Sequence, residues 1–408
     1  MTFPEGFGWG ATVSATDAWG SAPASDLAAW PGELGAPEAG TPEAPGAIRA
    51  VGEDLTRLAG LGLGHVRLTI DWARVEPAEG RRDVEAVEHL RLALAAGGDA
   101  GLAMWGCLHD GPLPGWFAQD ERGFGDTRSR HYYWARHVEW VGETFGDLIH
   151  GWVPVAEPTR WAQRGWLTGD RPPGRVNDAE AFAAALEAIH LASVEAALRL
   201  RQDAQPVATA QWLVPLFPAR IDPAAPTTPD AEAMTSVAEE VFRGCWLRML
   251  TEETLVVPGR PPVDVPGARE AFDHIGFTYR HALAVRGDGA LVPYPQTLAT
   301  GSNGQVPWAE GLEIVLHRLA DAVPERPLFI AGVGLATVDE EEREEYLRDV
   351  LAVAEEAIDG GIDVRGLWWE TPIDAPTGPA RGLLDRDHNP RPAADLLTRV
   401  AAGGEVPT

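Results

Sequence analysis

Lysine is absent from this 408-residue chain. All 33 of its basic side chains are arginines, set against 61 Asp and Glu, for a formal net charge of −28. Without lysine there is no Schiff-base nucleophile, no pyridoxal phosphate anchor and no P-loop or kinase phosphate-binding lysine. The missing basic excess also argues against a nucleic-acid partner, which needs a cationic face to neutralise phosphates, and against an anionic membrane surface. Cysteine is nearly missing too. Cys107 and Cys245 lie far apart with no CxxC spacing, so neither a disulfide framework nor a cysteine zinc site is indicated. His109, His131, His137 and His274 fall in no HxH or HExxH pattern, so no metal site is expected. Neither GxSxG nor a GxGxxG that opens a helix occurs, which removes support for serine-hydrolase and dinucleotide chemistry. The opening MTFPEGFGWGA shows no basic segment followed by an apolar one, and no uninterrupted apolar run of about 18 residues stands out. These absences lead to the expectation of a cytoplasmic protein without cofactor or membrane partner, whose partner is a small molecule. Oligomeric state is not legible.

What the chain does have is alternation. With 45% hydrophobic and 23% charged residues it has an ordinary globular composition. Short apolar runs predict strands at residues 8–13, 64–71, 101–109, 149–156, 206–214, 274–278, 327–333 and 364–370. Helical periodicity follows at 84–96, 131–145, 179–201, 231–250, 309–322, 340–358 and 393–401. Eight strands alternating with helices suit a closed (β/α)8 TIM barrel, class α/β, better than a doubly wound sheet. No linker divides the chain, so residues 1–408 are expected to form one domain, with long loops at about 21–46, 171–177 and 287–304. Reactive groups are then expected at the C-terminal strand ends. The acidic run Asp339–Glu345 reads as a solvated first helical turn favoured by the helix dipole.

Several segments at those strand ends carry a likeness: FPEGFGWG at 3–10, VRLTIDWARVEP at 66–77, LPGWF at 113–117 and Glu157-Pro158. WLTGDRPPG at 166–174, DHIGFTY at 273–279, WAEGL at 308–312 and DVRGLWW at 363–369 continue it in order. Together they resemble glycoside hydrolase family 1, the β-glucosidase type. The resemblance implies a retaining pair of carboxyls, one acid/base and one nucleophile, about 5 Å apart. The acid/base motif reads Ala156-Glu157-Pro158, so it implies Glu157 in that role, with the asparagine that holds a sugar hydroxyl replaced. The nucleophile motif reads Ile330-Ala331-Gly332-Val333-Gly334 and puts Gly332, which has no side chain, at the nucleophile position.

The implied sugar contacts are changed as well. Asp17 stands for a glutamine, Trp19 for a glutamate, Asp110 for a histidine (with His109 beside it) and Arg280 for a tyrosine. The Glu-Trp pair expected after strand eight is missing from residues 374–377. Arg67 and the platform tryptophan, Trp369, are retained, and Glu370 replaces a serine. The resemblance thus implies Glu157 as a catalytic residue; Asp110 and Glu370 join it as catalytic candidates because a second carboxyl across the mouth could work with it in an inverting hydrolysis, and Asp17, Arg67, His109, Arg280 and Trp369 are the substrate-binding candidates. The expected activity is acid/base chemistry on a glycoside or sugar-like molecule without a covalent step. The alternative is a pseudo-glycosidase that only binds a small molecule or a protein partner. Pro158 is expected to keep Glu157 extended, and Arg67 is expected to find a carboxylate among Asp17, Asp110 and Glu370, because an unpaired buried guanidinium is costly.

Overall fold

The computed structural model describes residues 3–30, 47–120, 122–201, 205–222, 225–301, 304–375 and 379–407. Eight parallel strands are arranged in chain order around one sheet: β1 Gly8–Val13, β2 His65–Thr69, β3 Ala103–Cys107, β4 Gly151–Val153, β5 Gln211–Trp212, β6 Ile275–Thr278, β7 Leu328–Val333 and β8 Val364–Glu370. β1 pairs with both β2 and β8, and β7 with both β6 and β8. Parallel bridges Trp152–Val207 and Ala156–Ala210 join the β4 and β5 segments and close the ring. This is the (β/α)8 barrel that the alternation predicted.

Helices follow the strands and are started by short polar side chains. Asp83, Asp178 and Thr228 each accept the backbone N–H three residues on, at the heads of helices Val84–Asp99, Ala179–Leu200 and Pro229–Glu239. Ala179–Leu200 has the length and hydropathy to cross a membrane, which the search for apolar runs did not bring out. Its most apolar window is 67% buried inside the fold, as in the core helix of a globular protein. A helix at Ala47–Gly60 completes the first strand–helix unit, which the periodicity had not singled out.

Two packed regions result from the period-two alternation of the strands. Trp105, Cys107, Val153, Ala156, Ala208, Ala210, Phe329, Ala331 and Trp368 fill the barrel interior. Val66, Leu68, Ile330, Leu367 and Trp369 belong to the larger core shared with the helices. Small residues make room for the interior rings: a Cβ on Gly151 would lie 2.6 Å from the Trp105 ring.

The predicted loops are only partly loops. Residues 31–46 of the first lie outside the described residues, and its beginning forms a short helix, Asp26–Ala29. Residues 171–177 are irregular, as expected. The 287–304 stretch instead contains a strand, Leu291–Tyr294, antiparallel to Ala282–Val285. The turn residues Gly287 to Gly289 had masked this hairpin. The predicted strand 206–214 is narrowed to β5 and isolated bridges at Val207, Ala208 and Ala210.

Candidate functional site

A cavity of about 350 Å³ opens at the C-terminal ends of the barrel strands. Thr12 from β1, Arg67 from β2, and Asp110, Glu157 and Arg280 just beyond β3, β4 and β6 line it, with Glu370 at the end of β8. Asp17 reaches it from the helix after β1. Five carboxyl side chains (Asp17, Asp26, Asp110, Glu157, Glu370) and six arginines (Arg67, Arg160, Arg164, Arg171, Arg280, Arg381) contribute to the wall.

Arg280 is the centre of this arrangement. Its Nε donates to Glu370 Oε2 at 2.8 Å and its Nη2 lies 2.7 Å from Glu370 Oε1, while its Nη1 donates to Glu157 Oε1. Thr278, two residues earlier and on the same strand face, donates its hydroxyl to Glu157 Oε1 at 2.6 Å. Arg160, one helical turn after Glu157, donates to Oε2 at 2.8 Å. Burial opposes ionisation of Glu157, but Arg280 and Arg160 together with these hydrogen bonds outweigh it and hold the carboxyl well below its usual range. At Glu370 burial dominates. Helped by the neighbouring Glu157 charge, it raises that carboxyl in spite of Arg280.

Glu157 does not adopt the extended backbone expected before Pro158. Its φ is 48° and ψ 50°, in the left-handed region that non-glycine residues seldom occupy. The proline disfavours the right-handed helical region for its predecessor, and here the chain turns left-handed as it enters helix Pro158–Gln163. Outliers of this kind persist where surroundings fix them, and three side-chain donors fix this one.

Gly332 lies at a register irregularity between β7 and its neighbours. A Cβ there would lie 2.5 Å from Glu370 Oε1 and 2.9 Å from Thr278 Cγ2. The Glu370 carboxylate therefore occupies the space that a side chain at 332 would enter. Strand alternation accounts for its direction: Trp368 points into the barrel, so Glu370 follows on the same face and Trp369 takes the opposite one.

That alternation corrects one expectation. Trp369 is no platform: it is fully buried in the core shared with the helices, does not line the cavity, and donates its Nε1–H to the Arg381 carbonyl at 2.9 Å. His109 is corrected likewise. It is buried edge-on against Phe124 and Trp161, outside the cavity, and burial lowers its ring to about 3, so it stays neutral. The next residue, Asp110, is the one that faces the cavity, where its Oδ2 accepts from Thr69 Oγ1 at 3.3 Å.

Of the three carboxylates expected to partner Arg67, Asp110 does so, through a single long contact of 3.4 Å from Nη2. Arg67 Nε and Nη1 are buried without a hydrogen-bond partner among the described residues. Asp17 accepts from Thr371 Oγ1 at 3.1 Å. Residues the sequence reading missed include Arg160, whose spacing of three from Glu157 on a helix was a usable signal, and Thr278, on the Arg280 face of β6. Asp26 was also missed. Desolvation pushes its carboxyl up to about 7, against the Leu113 N–H that donates to it at 2.9 Å.

Fold and site together define a (β/α)8 barrel with a polar small-molecule cavity at its C-terminal mouth. The model for glycosyl hydrolase family 1 matches residues 1–252. The chain is 25% identical to thermostable β-glucosidase B of Thermobispora bispora, over 92% of this chain and 83% of that one. Its fold is similar to that of a β-glycosidase from Pyrococcus horikoshii, with TM-score 0.85, 20% identity and coverage of 100% and 96%. It is also similar to a family 1 β-glucosidase from Thermotoga maritima solved in complex with isofagomine lactam, with TM-score 0.84, 17% identity and coverage of 98% of each chain. The chain belongs to glycosyl hydrolase family 1.

Proposed function

We propose that this protein binds a sugar-like small molecule at its barrel mouth and does not carry out the family's double displacement. One observation carries this reading: all four oxygens of Glu157 and Glu370 are already engaged by protein donors, with the Arg280 guanidinium between the two carboxylates. A general acid has to enter the reaction protonated, whereas Glu157 is held ionised. A glycine at 332 offers no nucleophile, and Glu370, the carboxylate nearest to it, is spent on a bidentate ion pair. Neutralised in this way, the pair serves to shape and charge a binding pocket.

A second reading retains catalysis and rests on the opposite shifts of the two carboxyls. With Arg280 withdrawn, Glu370 would give its proton to the glycosidic oxygen as the C1–O bond breaks. Glu157 would take a proton from the water that attacks C1, inverting the centre.

Incubation with aryl β-glycosides and a mechanism-based fluorosugar, repeated on Glu157→Gln, separates these readings. The binding role predicts no turnover above buffer and no labelled peptide, with saturable binding of at least one sugar. Covalent labelling would restore the retaining route. Slow unlabelled turnover that disappears in the variant would establish the acid/base pair instead.

A further inference from the structure

A second cavity, of about 450 Å³, lies beside the mouth, between the loops that follow β1, β3 and β4 and the helix Ala179–Leu200. Asp26, Trp161 and Pro172 line both spaces. The wall beyond them is largely apolar. Trp161 and Trp166 meet edge to face at 5.0 Å, and Phe124 stands edge-on to Trp161 at 5.8 Å. Ala181, Ala184 and Ala185 on the helix leave room because they are small. A molecule of one or two fused rings fits such a volume.

Among the described residues, Asp26 is the only acid that lines this cavity. It keeps 8% of its surface exposed and accepts the Leu113 N–H at 2.9 Å. No arginine pairs with it among the described residues, and the side-chain charge that acts on it most is a like one, from Asp71. Asp71 has its own cation, Arg74, with Nε at 3.6 Å. At Glu157 arginines outweigh burial; at Asp26 desolvation wins and, with Asp71, pushes the carboxyl up to about 7 against its backbone hydrogen bonds. The two arginines at the rim are turned to other acids: Arg175 donates to Asp178 at 2.9 Å, and Arg122 acts on Asp126. A desolvated carboxyl of this kind is best compensated by a cation that a ligand brings, and neighbouring aromatic rings favour a cation as well.

We infer that this second cavity binds a small arylalkyl ammonium ion, with its rings among Trp161, Trp166 and Phe124 and its ammonium group against the Asp26 carboxylate. The site stands apart from the sugar reading of the mouth, and neither depends on the other. A neutral ring compound would fill the same apolar space but would leave Asp26 without a partner. An anion would meet a like charge there.

The test is calorimetric titration of the full chain with tryptamine, against tryptophol as its neutral isostere, indole-3-propionate as the anion and ethylammonium as the bare cation. At pH 8 tryptamine is expected to bind once per chain and about tenfold or more tightly than any of the other three. Its affinity should rise about tenfold from pH 6 to pH 8 as Asp26 ionises around 7, since tryptamine stays charged throughout. Asp26→Asn should remove both the margin over tryptophol and the pH dependence, while tryptophol itself binds within about twofold of its original affinity. Ala184→Trp fills this cavity without lining the mouth and should abolish binding of both indoles; Ala181→Trp takes its place if thermal melts show the first variant unfolded. Equal affinity for tryptamine and tryptophol overturns the inference, and so does equal affinity for tryptamine and ethylammonium. Tryptamine binding that survives the filled cavity places the ligand at the mouth and overturns it too. Binding of none of the four probes overturns it while leaving the sugar reading untouched, because that reading is tested on sugars alone.

Discussion

The two halves of the barrel differ in a way the fold does not betray. The family match ends at residue 252, at the close of helix Cys245–Glu252, with five strands behind it. The last three strands complete the ring with the same parallel pairing and bury equally apolar interior faces through Phe329, Ala331 and Trp368. At the mouth the halves part. The first supplies Glu157 and Arg67 at positions that resemble the family's pattern, while the second supplies Arg280, Gly332 and Glu370. Barrel closure depends on backbone pairing and on volumes packed below the mouth, so residues at the strand ends can be exchanged without disturbing it. The two halves are then joined by charge, since Arg280 from the second binds Glu157 from the first.

Cutting that join should have the largest effect. Arg280→Met leaves two buried carboxylates short of their shared cation, and a loss of about 3–5 kcal/mol is expected in denaturant unfolding. A loss below about 1 kcal/mol would mean that the halves do not depend on the pair. Gly332→Glu tests the second half alone. The added side chain collides with Glu370, so destabilisation of about 1–3 kcal/mol is expected. The double change with Glu370→Ser should recover more than half of it; the absence of recovery would show that Glu370 is not what fills the space.

Asp26 sharpens the comparison within the first half, being a cavity carboxyl that no arginine from the second half holds down. Its folded value of about 7 lies above the ordinary 3.8, so its contribution is fully present below about pH 4 and lost as pH rises to 7. Asp26→Asn should therefore match wild type near pH 4 and exceed it by about 4 kcal/mol at pH 8, read from melts across that range. Equal curves for the two proteins would place Asp26 among ordinary carboxylates. The smallest effect is expected at Trp369→Phe, which gives up the bond to the Arg381 carbonyl and some packing. It should cost about 1–2 kcal/mol without changing sugar affinity; a selective loss of affinity would return Trp369 to the binding surface.

Much of the barrel was legible because hydrophobic periodicity is strong where strands and helices are long, as at β7, β8 and Ala179–Leu200. β5 was drawn too long because its pairing is broken into bridges, which composition does not reveal. At the site, six of the named side chains do converge: Asp17, Arg67, Asp110, Glu157, Arg280 and Glu370. Trp369 and Glu370 could not both have faced the mouth from adjacent places on one strand, and period two alone excludes the pair. His109 and Asp110 posed the same choice beyond the end of β3, where the chain leaves regular pairing and alternation no longer decides. The left-handed backbone at Glu157 had no local signal, since proline offers its predecessor several ways to avoid the helix.

The fit between Gly332 and Glu370 has a consequence for the history this barrel can still have. A carboxylate side chain introduced on β7 meets an occupied space, and removal of Glu370 first leaves Arg280 without its bidentate partner. Either single step is penalised, and only the two together lead to a packed mouth. Drift by one substitution at a time therefore meets a barrier at this pair, which acts as a ratchet. A lineage that carries it is free to refine what its arginines hold, but not to exchange one strand's carboxylate for the other's by a single step.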